Sequence, residues 1–136
     1  MTHRIGSILV EGVIALGLML APTALLAQGL GGSFEGDVTQ NDPPGTYTVQ
    51  MELYGSMGSI NYPSFPCSGE LALERTDGST YWYREHITRG TDRCVDGGLI
   101  SIRRHTLGGE TNWEWRWVKG DQEVRGVLRG AGAPAR

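Results

Sequence analysis

Trp113, Trp115 and Trp117 stand at strict two-residue spacing, with Glu114 and Arg116 between them. Successive side chains of an extended strand point to opposite faces. The pattern therefore puts three indoles on one side of a strand and two charges on the other, whereas a helix would send the rings to opposite sides. The same alternation recurs along the chain. Thr46–Leu53 carries Tyr47, Val49, Met51 and Leu53 on one face, and Glu70–Arg75 sets Leu71 and Leu73 against Glu70, Ala72 and Glu74. Leu99–Arg104 alternates through Ile100 and Ile102, and Thr80–Thr88 is rich in Tyr, Trp and Thr. Ser33–Thr39, Gly55–Tyr62 and Gln122–Leu128 complete a set of eight expected strands.

Turn residues fall between these runs. Thr76-Asp77-Gly78-Ser79 predicts a hairpin centred on Asp-Gly, a type I′ turn with positive φ at both central residues. Gly108-Gly109 and Gly120-Asp121 serve similarly, and Asp42-Pro43-Pro44-Gly45 is expected to form a longer loop. Prolines 63 and 66 cannot donate within a central strand, so residues 63–66 form a connection into Cys67. Eight strands joined by hairpins predict an all-β antiparallel meander. Closure into a small up-and-down barrel removes its exposed edges, and a β-sandwich is the alternative. The barrel is expected over residues 28–129, with 130–136 as a flexible tail.

Size and charge narrow the function classes. A chain of 136 residues holds one domain, and a net charge of −3 argues against a basic nucleic-acid binder. Residues 1–27 have the layout of a secretory signal peptide: Arg4, an apolar run from Ile5 to Leu20, then small residues from Ala21 to Ala27. An uncleaved anchor over Ile5–Leu26 is the alternative, opposed by Glu11 and Pro22 within that span. The expected location is secreted or periplasmic, without membrane attachment after cleavage. Both cysteines, Cys67 and Cys94, lie in the exported part, and an even count in an oxidising compartment predicts one disulfide. A metal-binding or reactive cysteine is disfavoured, because no C-x-x-C is present and no histidine adjoins Cys67. No metal and no cofactor is expected.

The densest polar stretch runs from Tyr83 to Gly98. Glu85 shares a strand face with Tyr81, Tyr83 and Ile87, while His86 shares the other with Trp82 and Arg84. Adjacent residues thus cannot act as an acid/base pair, and Glu85 is expected inward. A buried carboxylate needs a partner. Arg104, in phase with Ile100 and Ile102, is the first candidate, with Tyr hydroxyls beside it. A charge that reads a ligand in the barrel mouth, or a catalytic acid, are the sharper alternatives. Arg89, Asp92, Arg93 and Asp96 are expected on a loop tethered by Cys94, either gripping an anion or pairing with one another at the surface. Trp113, Trp115 and Trp117 are expected mainly in the core, with pocket lining and an exposed platform as alternatives.

The segments Tyr62-Pro63-Ser64-Phe65-Pro66-Cys67, Tyr83-Arg84-Glu85-His86-Ile87 and Arg93-Cys94-Val95-Asp96-Gly97-Gly98 resemble a pattern in a little-characterised bacterial β-domain. That domain occurs in secreted proteins and as an extracellular appendage of serine/threonine kinases and caspase-like peptidases. The resemblance covers residues 33–128 and implies that Cys67, Cys94 and Glu85 belong to the family pattern, with no established activity. More loosely, the strand plan is similar to the calycin barrels, which bind small ligands. The leading expectation is a non-enzymatic binding or interaction module for an unknown small ligand or extracytoplasmic protein. The alternatives are a secreted inhibitor of a hydrolase of protease or lysozyme type, presenting the loop from Arg89 to Gly98, and an enzyme using Glu85.

Overall fold

The computed structural model describes residues 29–107, 110–130 and 133–134. The expected signal segment and the Gly108-Gly109 turn lie outside the described residues. Eight strands follow in chain order: β1 (Leu30–Asn41), β2 (Pro44–Gly55), β3 (Met57–Tyr62), β4 (Cys67–Asp77), β5 (Thr80–Arg89), β6 (Leu99–Leu107), β7 (Glu110–Lys119) and β8 (Gln122–Gly130). Each pairs antiparallel with its neighbour. The twelve-residue β1 pairs with β2 along one edge and with β8 along the other, which closes the sheet into a barrel. That closure decides for the barrel over the sandwich. It also satisfies the second edge of β1, which an open sheet would leave unpaired.

Two local expectations change. In the β4–β5 hairpin Asp77 pairs with Thr80, so the loop is Gly78-Ser79 rather than Asp77-Gly78. Gly78 takes φ +59° and Ser79 no positive φ, as a type II′ turn requires, with glycine at its first central position. The loop around Pro43 is also shorter than expected: Asn41 pairs with Pro44, and only Asp42 and Pro43 turn the chain. Nor is the C-terminal stretch wholly a free tail. Gly130 ends β8, and a short β9 (Ala133–Pro134) pairs with Leu30 and Gly31. There the start of β1 extends beyond the end of β8 and offers backbone groups that β9 takes up.

The interior follows the two-residue period. Val49, Met51 and Leu53 of β2, Tyr83 and Ile87 of β5, Ile100 and Ile102 of β6, and Trp113, Trp115 and Trp117 of β7 are all buried. Phe34 meets Trp113 edge to face, with centroids 5.3 Å apart. The indole N–H groups of Trp113 and Trp115 have no hydrogen-bond partner among the described residues, so their contribution is packing. The Tyr83 hydroxyl ties the barrel across one end: it accepts the Leu30 N–H at 3.0 Å and donates to the Gly55 carbonyl at 2.9 Å. The outer face carries cross-strand ion pairs such as Arg103–Glu114 and Arg84–Glu74, exposed and individually worth little.

Candidate functional site

A meander brings alternate connections to the same end. Asp42-Pro43, residues 63–66, residues 90–98 and Gly120-Asp121 therefore gather at the barrel end opposite the Tyr83 tie. This end is open. A cavity of about 700 Å³ enters the barrel here, lined among others by Tyr47, Tyr62, Phe65, Glu85, Arg93 and Trp117. The Cys67–Cys94 disulfide braces its rim. It joins the first residue of β4 to the loop after β5, with Cα atoms 6.4 Å apart.

Glu85 lies inward, as parity predicts, and is 2% exposed. Its partners are not those expected. The Tyr62 hydroxyl donates to Oε2, and the Trp117 Nε1–H donates to Oε1 at 3.1 Å. Arg104 is exposed and reaches Thr111 instead, at 3.4 Å. The backbone explains this. The Glu85 N–H bonds the Gly98 carbonyl at 2.9 Å, and Arg104 lies six residues further along the neighbouring strand. At about 3.3 Å per residue it sits roughly 20 Å away, toward the other end of the barrel. In-phase alternation fixed the face of Arg104, and not its depth.

Burial raises the Glu85 carboxyl above the usual carboxylate range. The Tyr62 and Trp117 hydrogen bonds oppose the shift, and nearby Asp96 adds to it. Tyr62 is likewise raised well above its ordinary value, by burial first and then by Glu85. Tyr47, half-buried beside it, is pushed up to about 12 by burial and by Glu85.

The loop 90–98 is held to the barrel by polar contacts as well as by the disulfide. The Arg93 N–H bonds the Gly90 carbonyl at 2.9 Å. Asp96 accepts the Ile87 N–H at 2.7 Å and approaches His86 Nδ1 at 3.3 Å. Lys119 donates to the Asp96 carbonyl, and Arg84 to that of Gly97. Arg89 ends β5 and is not on the loop as expected, and the expected surface pairing with Asp96 does not form, because the Asp96 side chain clamps the loop to β5. Arg89 and Asp92 are exposed and outside the cavity lining, whereas Arg93 lines it. His86 is exposed, on the face opposite Glu85.

The tryptophan stripe divides by depth. Trp113 and Trp115 pack in the core, and Trp117 alone reaches the cavity. Sequence reasoning missed Tyr47, Tyr62 and Phe65 as lining residues. Their signal was present: tyrosines in phase with a buried face but at the strand end nearest the loops, where a hydroxyl can meet polar atoms. Among the described residues no helix is long and apolar enough to cross a membrane. No family model matches the chain, and no curated protein or solved structure matches it either.

Proposed function

We propose that the protein is a secreted or periplasmic, non-enzymatic β-barrel binding module whose ligand occupies the cavity at the disulfide end. One observation carries this reading: a cavity of about 700 Å³ opens to solvent and has a buried carboxylate, Glu85, at its floor. Cavities of this size and mixed lining suit small molecules. The wall is a closed sheet braced by a disulfide, so little of it needs ordering when a ligand arrives. Binding is favoured over catalysis because Glu85 is held by Tyr62 and Trp117, while the histidine next to it in sequence faces solvent. Export is supported by the disulfide and by the apolar N-terminal segment. Native mass spectrometry of protein recovered from the periplasm tests the reading. A retained noncovalent mass, lost on unfolding, is expected. No retained mass, together with no thermal shift from anionic, neutral or cationic small molecules, overturns it.

A second reading, an inhibitor of a hydrolase, is favoured by the apolar rim. Val95 on the tethered loop is 50% exposed, and Phe65 across the disulfide is 38% exposed. A stoichiometric complex with a protease or lysozyme that blocks substrate turnover, and that Val95→Asp abolishes, would put this reading first.

A further inference from the structure

Building on the binding reading, we infer that the mouth cavity selects an organic cation, an ammonium group seated on Glu85 among the rings of Tyr47, Tyr62 and Trp117. The floor offers acceptors, because the donors of Tyr62 and Trp117 are both taken by Glu85. Each Glu85 oxygen accepts one hydrogen bond, from Tyr62 or from Trp117, which leaves about half of the carboxylate's acceptor capacity unused. Tyr62 spends its hydroxyl proton on Glu85 and presents only oxygen lone pairs. An anion placed here would meet the Glu85 carboxylate, with donors offered by the Tyr47 hydroxyl at the wall and by Arg93 at the rim.

The walls are aromatic and turned at angles to one another. Tyr47 and Tyr62 have centroids 6.0 Å apart with planes at 67°, and Tyr47 and Phe65 are 4.9 Å apart at 73°. Rings set at such angles form a corner whose negative π-faces attract a cation, most strongly where water is excluded. The rim agrees in sign. The lining carries the carboxylates of Asp42, Glu85, Asp121 and Glu123 against Arg93, and even with Arg116 and Arg125, which pair with Glu123, the negative charges outnumber the positive ones. A neutral ligand would leave the buried carboxylate uncompensated, and a cation would compensate it.

The cation can belong to a free quaternary amine or to a lysyl side chain of a partner protein, and two probes separate them. Choline stands for the first and n-butylammonium for the second; the tighter of the two names the source. 3,3-Dimethylbutanol, the uncharged counterpart of choline, and butyrate are the controls. Calorimetric titration, checked by tryptophan emission, is expected to give one of the cations at least tenfold tighter binding than either control. Glu85→Gln, with folding verified by its thermal midpoint, is expected to erase that preference. Should that variant fail to fold, Tyr47→Leu at the half-exposed wall is expected to weaken the cation severalfold, and Tyr47→Phe to retain it. If the alcohol or butyrate binds as tightly as the cations, the cationic assignment is overturned while the binding module stands. If no probe of any charge binds at millimolar concentration, both fall.

Discussion

Trp117 reaches Glu85 by passing beneath Gly98. Its Nε1–H donates to the carboxylate at 3.1 Å, and a Cβ on Gly98 would lie 1.8 Å from that same nitrogen. The close approach links three parts of the chain that are distant in sequence: the strand bearing Glu85, the loop ending in Gly98, and the tryptophan stripe. Only a residue without a side chain lets the indole lie flat under the loop while its N–H points at the buried acid.

The first prediction concerns how Glu85 is held. Glu85→Gln and Trp117→Phe are expected to couple, with an interaction energy of about 0.5–3 kcal/mol in urea denaturation, as groups sharing a hydrogen bond do. Glu85→Gln and Arg104→Met are expected to add within about 0.5 kcal/mol, since the two sites lie far apart. Coupling to Arg104 rather than to Trp117 would reverse this assignment of partners.

Gly98→Ala is expected to push the indole off Glu85 and to destabilise the fold by about 1–3 kcal/mol, the range for overpacking a filled site. Trp117 emission should shift to the red as its N–H loses the carboxylate. Gly45→Ala is the control, because a Cβ there meets nothing within 4 Å, and its effect should stay within about 0.5 kcal/mol. Equal stability of the two variants would show that the indole does not depend on Gly98.

Much of this architecture is legible from alternation alone. The period-two pattern places Trp113, Trp115, Trp117 and Glu85 inward, and turn residues divide the chain into strands that match the observed ones to within a few residues. What alternation does not carry is depth along the barrel axis. Arg104 and Trp117 are both in phase with buried neighbours, yet one is exposed toward the far end and the other lines the cavity. Depth depends on which strand ends share a rim, and that follows from register and closure, which no single segment encodes. The Asp96 clamp escapes for a related reason: it is a bond from a loop side chain to a strand backbone N–H, invisible until the loop has folded back.

The raised carboxyl of Glu85 gives stability a definite pH dependence. Its folded-state value lies above its ordinary 4.5, so the folded protein holds this proton more tightly than the unfolded chain does. The stabilisation is complete below the ordinary value and is lost as pH rises through the raised one. The groups facing it, Tyr62, Tyr47, Asp96 and the Trp117 N–H, do not reverse that sign: Tyr62 and Trp117 only reduce the shift and Asp96 enlarges it, while Tyr47 and Tyr62 themselves titrate far higher. Exposed Asp96 and Glu74 and half-buried Glu123 are lowered and act at more acid pH. The stability of the natural protein minus that of Glu85→Gln, measured by urea denaturation, should therefore fall as pH is raised above 4.5. A difference that stays flat or rises would contradict burial as the dominant influence on this carboxyl.

The disulfide is expected to stabilise the barrel more than it shapes the cavity floor. Cys67 and Cys94 are 27 residues apart, and loop-entropy arithmetic assigns a cross-link of this length roughly 3–4 kcal/mol. The loop it braces keeps other attachments: Asp96 to the Ile87 N–H at 2.7 Å, and the Glu85 N–H to the Gly98 carbonyl at 2.9 Å. Cys67→Ala with Cys94→Ala should lower the unfolding midpoint by an amount of that order. Trp117 emission in the folded state should stay close to that of the natural protein, because the indole is held by Glu85 and not by the sulfur bridge. Thiol titration of the denatured, unreduced protein should find no free thiol, and after reduction it should find two. Free thiols before reduction, or a double variant with an unchanged midpoint, would show that the bridge does not brace the rim in solution. A red shift in the folded double variant would show instead that the bridge, rather than the clamp at Asp96, sets the position of the loop over Trp117.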